Sequence, residues 1–224
     1  MKISLDELRV KQAFSLGDLK IANIIVGTFE GGGGGNTEIV DTLIDRSITE
    51  ISSDITVIGY YAFSNCDKLV NVNFPNVVTI SGYGFQNCPL IKNASFPKVQ
   101  GVNGYAFYNC TSLENVDFPS IRTVGNYAFR KCGALTKIDL QQTYNINVYA
   151  FYECSNLETI ILRQTDKPCT LSGANALQKT KIADGTGYIY VPSALVESYK
   201  TATNWATYAN QFRAIEDYPD ICGG

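Results

Sequence analysis

Between residues 55 and 164, apolar positions return every 22 residues. Leu69, Ile91, Leu113, Leu135 and Leu157 form one column of this pattern, Val72, Ala94, Val116, Ile138 and Ile160 the next, and Phe74, Phe96, Phe118, Leu140 and Leu162 a third. The L-x-x-V-x-F spacing, with polar residues between, predicts a short strand whose alternate side chains face inward. A second inward set is Ile58, Ile80, Val102, Val124 and Ile146, preceded by Ile55, Val77, Val99 and Ile121. The residues that follow it are Gly59, Ser81, Asn103, Gly125 and Asn147, mostly types that tolerate a positive φ, so a tight corner is expected there. Pro75, Pro97 and Pro119 predict a further corner at the strand exit, where a missing donor does no harm.

The same period carries a phrase written five times: YYAFSNC, GYGFQNC, GYAFYNC, NYAFRKC and VYAFYEC. Its phenylalanines are Phe63, Phe85, Phe107, Phe129 and Phe151, and its cysteines Cys66, Cys88, Cys110, Cys132 and Cys154. A fixed period of this length, free of insertions, predicts a solenoid of stacked coils. One coil buries too few side chains to offset the entropy of ordering its backbone, so the array is expected to fold as a coupled unit.

The flanks divide the chain further. Residues 1–35 form a small N-terminal element: Ser4, Leu5, Asp6 and Glu7 have capping-box spacing, which predicts a helix over 5–14. LKIANIIVGTF reads as a strand, and Gly31–Gly35 as a flexible linker, since no lysine or helix follows to make a phosphate loop. Residues 36–54 are the N-terminal cap, with Ile39, Leu43, Ile44, Ile48 and Ile51 available to cover the open end of the array over 55–164. Residues 165–192 are a degenerate terminal repeat in which Asn175, Ala176 and Leu177 echo the Tyr-Ala-Phe triplet, and YIYVP is a last strand stopped by Pro192. Over 193–224 Ser193 is expected to cap a short helix, a second helix carries Trp205, Tyr208 and Phe212 on one face, and the tail DYPDICGG is loose.

The repeated motif, in the form L-x-x-V-x-F-P-x-V-x-x-I-G-x-Y-A-F-x-x-C, closely resembles the BspA-like leucine-rich repeats of bacterial surface proteins; LENVDFPSIRTVGNYAFRKC, residues 113–132, fits at nearly every patterned position. The resemblance covers roughly residues 37–164, and YIYVPSALVESYKTATNWATYANQFRAI is similar to the segment that closes such arrays. It implies an α/β repeat fold: a right-handed leucine-rich-repeat solenoid with a short-stranded parallel sheet on one face, irregular or 3₁₀ segments opposite, about five 22-residue coils plus caps, and a C-terminal helical cap. It also implies a non-enzymatic adhesion or interaction module, extracellular or at the cell surface, with a protein or glycan partner that the sequence does not name. The N-terminus MKISLDELRVKQ lacks the apolar run of a secretory signal. KQAFSLGDLKIANIIVGTF is weakly similar to small segments of phage tail-associated proteins, which keeps a structural spacer or fibre component as the alternative.

Composition narrows the chemistry. A formal charge of -3 and a pI near 5.0 supply no basic footprint for nucleic acid, and no window is apolar enough for membrane insertion. Histidine is absent, which removes the commonest general base and metal ligand. Five of the seven cysteines share one column; their Cβ vectors run parallel, which disfavours disulfides and predicts reduced, buried thiols rather than metal ligands. Cys169 and Cys222 lie outside it. No catalytic motif, cofactor site or metal site is expected. An acidic pair one coil apart, Asp117 and Asp139 with Lys137 nearby, is the one arrangement resembling a hydrolytic site, and no cleft is implied around it.

Candidate partner-binding residues are therefore sought on the outer face. Along the strand they are Asn71, Asn73, Asn93, Ser95, Asn115, Asp117, Lys137 and Asp139, a polar band that either binds a partner across several coils or is simply a solvated sheet face. Tyr61, Tyr83, Tyr105, Tyr127 and Tyr149 are expected to stack as a ladder. Tyr108 and Tyr152 stand instead at a variable position, where Ser64, Gln86 and Arg130 occur in other copies; they are candidates for sugar or protein contact, or side-chain cover for the ladder.

Overall fold

The computed structural model describes residues 56–223 throughout and, before them, the backbone of five strands, Ser15–Leu16, Leu19–Lys20, Val26–Thr28, Thr37–Ile39 and Glu50–Ser52. The helix expected over 5–14, the Gly31–Gly35 linker and most of the expected N-terminal cap residues lie outside the described residues.

Each coil contributes two strands, and both lines stack in parallel at a shift of one period. The shorter line runs through Val57–Ile58, Thr79–Ile80, Gly101–Val102, Thr123–Val124, Asn145–Ile146 and Thr170–Leu171, with Thr37–Ile39 added at its start. The longer line comprises Asn71–Asn73, Asn93–Ser95 and Asn115–Asp117, joined by Glu50–Ser52, then a second four-stranded sheet of Lys137–Leu140, Thr159–Leu162, Tyr188–Val191 and Phe212–Ala214. The second inward set is thus strand as well as corner. Val26–Thr28 pairs antiparallel with Thr37–Ile39, so the strands before and after the glycine run lie side by side.

The repeated phrase forms a third line of backbone bonds. The amide of Phe63 donates to the Gly84 carbonyl (2.7 Å), Phe85 to Ala106 (2.7 Å), Phe107 to Ala128 (2.8 Å), Phe129 to Ala150 (2.8 Å) and Phe151 to Ala176 (2.9 Å). Inside, Phe63, Phe85, Phe107, Phe129 and Phe151 stack with ring centroids 5.0–5.4 Å apart, all fully buried. The cysteines are free and buried, as their parallel vectors predict. They are more than apolar filler: the thiol of Cys88 donates to the Phe63 carbonyl (3.0 Å), Cys110 to Phe85 (3.1 Å), Cys132 to Phe107 (3.1 Å) and Cys154 to Phe129 (2.9 Å). Burial pushes the Cys110 thiol up to about 12, which keeps its donor proton in place. Where the fifth copy drifts to Thr143, the buried hydroxyl is satisfied by donating to the Ile121 carbonyl (3.0 Å).

The turns differ from the expectation. Ser81, Asn103, Gly125 and Asn147 have no positive φ; the left-handed residues are Tyr61, Tyr83, Tyr105, Tyr127 and Tyr149 (φ 57–62°) and, four residues on, Asn65, Asn87, Asn109, Lys131 and Glu153 (φ 56–66°). Asparagine tolerates this region, whereas tyrosine ordinarily avoids it. The tyrosines are held there from the neighbouring coil: Tyr105 donates its amide to the Asn126 carbonyl (2.9 Å), and the rings stack in parallel at 4.6–4.9 Å.

Gly125 is needed for space rather than for its φ. A Cβ there would meet the Asn103 carbonyl carbon at 2.6 Å, the Gly104 nitrogen at 2.7 Å and the Val102 oxygen at 2.8 Å, all backbone of the preceding coil. Gly125→Asn is therefore expected to cost about 1–3 kcal/mol in chemical denaturation, the price of an overpacked core. Gly101→Ala, where a Cβ meets nothing within 4 Å, should change stability by no more than about 0.5 kcal/mol. Equal tolerance of the two changes would contradict the close-approach argument.

After Gln164 the coil lengthens but continues. Ala176 and Leu177 are buried, Lys179 takes the left-handed position (φ 61°) and buried Thr180 occupies the cysteine site. The closing segment departs from the expected pair of helices. Ser193–Leu195 is a 3₁₀ turn before the helix Val196–Thr201, and Ser193 offers its amide and hydroxyl to Glu216 instead of capping that helix. Asn204 (φ 64°) breaks the chain again; Trp205–Gln211 is 3₁₀ with a kink at Tyr208, and Phe212 begins a strand rather than continuing a helix. The tail is not loose over Pro219–Cys222: it is a short helix whose Cys222 is buried against the array.

Candidate interaction surface

The strand face carries an amide ladder. Asn93 donates its side-chain amide to the Asn71 side-chain oxygen (2.7 Å), and Asn115 donates likewise to Asn93 (2.8 Å); Ser95 donates to Asp117 (3.2 Å), and Asn73 is exposed. In-register stacking makes this arrangement automatic, since the same side chain recurs one strand spacing away. The ladder holds these side chains in register from coil to coil.

Lys137 and Asp139 do not extend this band. The Lys137 ammonium donates to the Ile221 carbonyl (2.5 Å), and the Arg163 guanidinium grips both oxygens of Asp139 (2.8–3.1 Å) while also donating to the Cys222 carbonyl. Asp139 in turn raises the Arg163 pKa through this hydrogen bond. Outward-facing Ile161 is buried with Tyr190 and Cys222 beneath Ile215 and Tyr218. The C-terminal segment thus roofs the second half of the strand face. Asp117 accepts from Ser95 and Asp139 from Arg163, and Lys137 donates to the Ile221 carbonyl, so the neutralising cation is Arg163, on Asp139, and not the expected Lys137. Arg163 stands where the proline column of earlier copies ends, a break in the pattern that does not disclose its partner, and the tail belongs to no column.

The turn face brings Tyr108 and Tyr152 together with residues that column reasoning passed over. Arg130 stands one coil after Tyr108 and one before Tyr152. Its guanidinium lies 5.7 Å from the Tyr108 centroid, 5.7 Å from that of Tyr127 and 5.1 Å from that of Tyr152. The Lys179 ammonium lies 4.9 Å from the Tyr152 centroid, and the Lys131 ammonium 5.8 Å from that of Tyr108. Tyr108 leans on Tyr105 (5.7 Å) and Tyr152 meets Tyr149 edge-on (5.3 Å), so both brace the ladder while remaining half-exposed.

Glu153 closes the cluster, accepting from Lys179 (2.9 Å) and from Arg130 (3.3 Å). Lys179, then Arg130, hold its carboxyl below the usual range. The signal was present in the sequence: one turn column reads Tyr108, Arg130, Tyr152 and the next Lys131, Glu153, Lys179, where earlier copies carry Ser64, Gln86 and Asn65, Asn87. Among the described residues no group of three or more Cys, Asp or Glu side chains is placed to hold a metal ion, and no helix is long and apolar enough to cross a membrane.

A family model described as "BspA type Leucine rich repeat region" matches in six copies, over residues 45–158 and 78–197. Among solved structures, the T. pallidum leucine-rich repeat protein superposes with a TM-score of 0.57 at 16% identity, over 85% of this chain and 95% of that one, a likeness of fold alone. A leucine-rich repeat protein from Bacteroides ovatus aligns at 18% identity and TM-score 0.49, over 80% of this chain and 60% of that one. A leucine-rich cell surface protein from Faecalibacterium prausnitzii aligns at 19% and 0.49, over 73% of this chain and 51% of that one. The match thus spans only about half to two thirds of the length of these last two chains. No curated protein sequence matches.

Proposed function

We propose that this chain, which belongs to the BspA-type leucine-rich repeat family, is a non-enzymatic binding module that presents its solenoid surface to a protein or glycan partner at a bacterial cell surface. The observation that carries this reading is the half-exposed tyrosine and arginine ridge at Tyr108, Arg130 and Tyr152. Tyrosine and arginine are the side chains most enriched where binding energy concentrates, because each offers a large contact area with a polar end. Here their rotamers are fixed in advance by stacking, which lowers the entropy lost on binding. The asparagine ladder at Asn71, Asn93 and Asn115 supplies a second polar surface for the same partner class, through hydrogen bonds repeated at coil spacing.

A glycan array and a panel of purified surface proteins, probed with the wild type and with the Tyr108→Ala, Tyr152→Ala double variant, test the proposal. The expected result is a ligand retained by the wild type and lost by a variant that keeps its far-ultraviolet spectrum. No ligand on either panel, together with concentration-dependent filaments in light scattering, would support a structural spacer or fibre component instead.

A further inference from the structure

We infer that the turn-face column of Tyr108, Arg130 and Tyr152, with Lys131 and Lys179 of the next column beside it, is a subsite for a linear acidic glycan bearing carboxylates. This rests on the binding-module reading and names its ligand class. The column alternates ring, guanidinium and ring, and the Lys179 ammonium lies against the last ring, so these cations are held against aromatic faces. Three cations, Arg130, Lys131 and Lys179, share the cluster with one carboxylate, Glu153, in a chain whose formal net charge is -3. This local excess of positive charge on an acidic protein favours an anionic partner.

Glu153 indicates which anion fits. Its carboxylate spans the two cations, taking Lys179 on one oxygen and both Nε and Nη2 of Arg130 on the other. The other terminal nitrogen of Arg130 and the Lys131 ammonium have no acceptor among the described residues, and the Arg130 and Lys179 side chains are 28% and 60% accessible. A ligand carboxylate can therefore pair with donors left over by Glu153, or displace it. Tyr108 and Tyr152 are two coils apart, about 10 Å by strand spacing, a length that one disaccharide of a linear glycan covers. A polymer with one carboxylate per sugar lying along this column meets cations and tyrosine rings in turn. An acidic peptide matches the charge but lacks the ring hydroxyls and flat faces that the tyrosine edges can meet.

Titration calorimetry of the full chain with oligogalacturonate, a neutral glucose oligomer of equal length and a glutamate oligopeptide tests the inference. The uronate is expected to bind, more weakly as salt rises, while the neutral sugar and the peptide bind at least about tenfold more weakly. Arg130→Gln combined with Lys131→Gln should lower uronate affinity by about tenfold or more, the equivalent of one charge-assisted bond. Glu153→Gln, which removes the internal competitor, should raise it, an outcome that misfolding could not produce. No uronate binding, an unchanged affinity in the double variant, a fall in affinity with Glu153→Gln, or equal binding of the peptide would each overturn the inference. If the uronate fails while another ligand binds in a Tyr108- and Tyr152-dependent way, the binding-module reading stands and this one does not.

Discussion

Phe107→Ala is expected to lower the stability of the array by about 3–5 kcal/mol, the range for truncating a buried aromatic side chain. Phe107 sits in the third of five repeated phrases and is fully buried. It stacks on Phe85 (5.1 Å) and Phe129 (5.4 Å) and touches the second aromatic column at Phe96 (6.1 Å) and Phe118 (5.9 Å). Alanine would leave a cavity lined by rings that are themselves fixed by stacking, so collapse can recover little. Because a coil contacts only its neighbours, the damage falls on both interfaces of one coil and weakens the coupling between the halves of the solenoid. Urea unfolding followed by circular dichroism should show the loss, and hydrogen exchange should show the coils before the cavity opening first, since the C-terminal half keeps its aromatic closing segment. A loss under about 1.5 kcal/mol, which is what volume-conserving swaps cost, would mean that the coils are not bound through this stack.

The columns were legible because the fold repeats its own environment. When every strand pairs with its equivalent one period away, a residue's partner is the same residue in the next copy, and the period alone predicts burial for Leu69, Ile91, Leu113, Leu135 and Leu157. The tyrosine ladder was legible for the same reason. The left-handed backbone at those tyrosines was not, because local rules assign it to glycine or asparagine, whereas here stacking between coils imposes it. The fate of Lys137 and Asp139 was hidden as well. Their neighbours are Arg163, at the proline position of the fifth copy, and the tail, which lies outside the repeat and reaches the strand face only through the final packing. On the turn face the signal existed as a chemical change within two columns, and only geometry converts Arg130, Glu153 and Lys179 from variable positions into one cluster.

Trp205→Ala is expected to cost a further large share of stability, about 3–5 kcal/mol for the lost aromatic packing, concentrated at the C-terminal end. The shorter strand line stops at Thr170–Leu171, where no further coil supplies backbone partners. Side chains of the closing segment supply them. The Cys169 amide donates to the Tyr199 hydroxyl (2.8 Å), its carbonyl accepts from the Trp205 indole (2.6 Å), the Leu171 carbonyl accepts from Asn204 (2.7 Å), and the Ala174 carbonyl accepts from Tyr208. Trp205 is fully buried between Tyr199 (5.6 Å) and Phe212 (5.9 Å), so one side chain provides both apolar cover and an edge bond. Trp205→Phe separates the two contributions: it keeps most of the cover and orphans the buried Cys169 carbonyl, for an expected loss of about 1–3 kcal/mol. Exchange of the Thr170 and Ser172 amides, which donate to Tyr144 and Ile146, should accelerate more than that of the Phe85 amide deep in the array. Equal acceleration of all three would show that the end does not open independently, and that the aromatic segment stabilises the solenoid as a whole rather than sealing its edge.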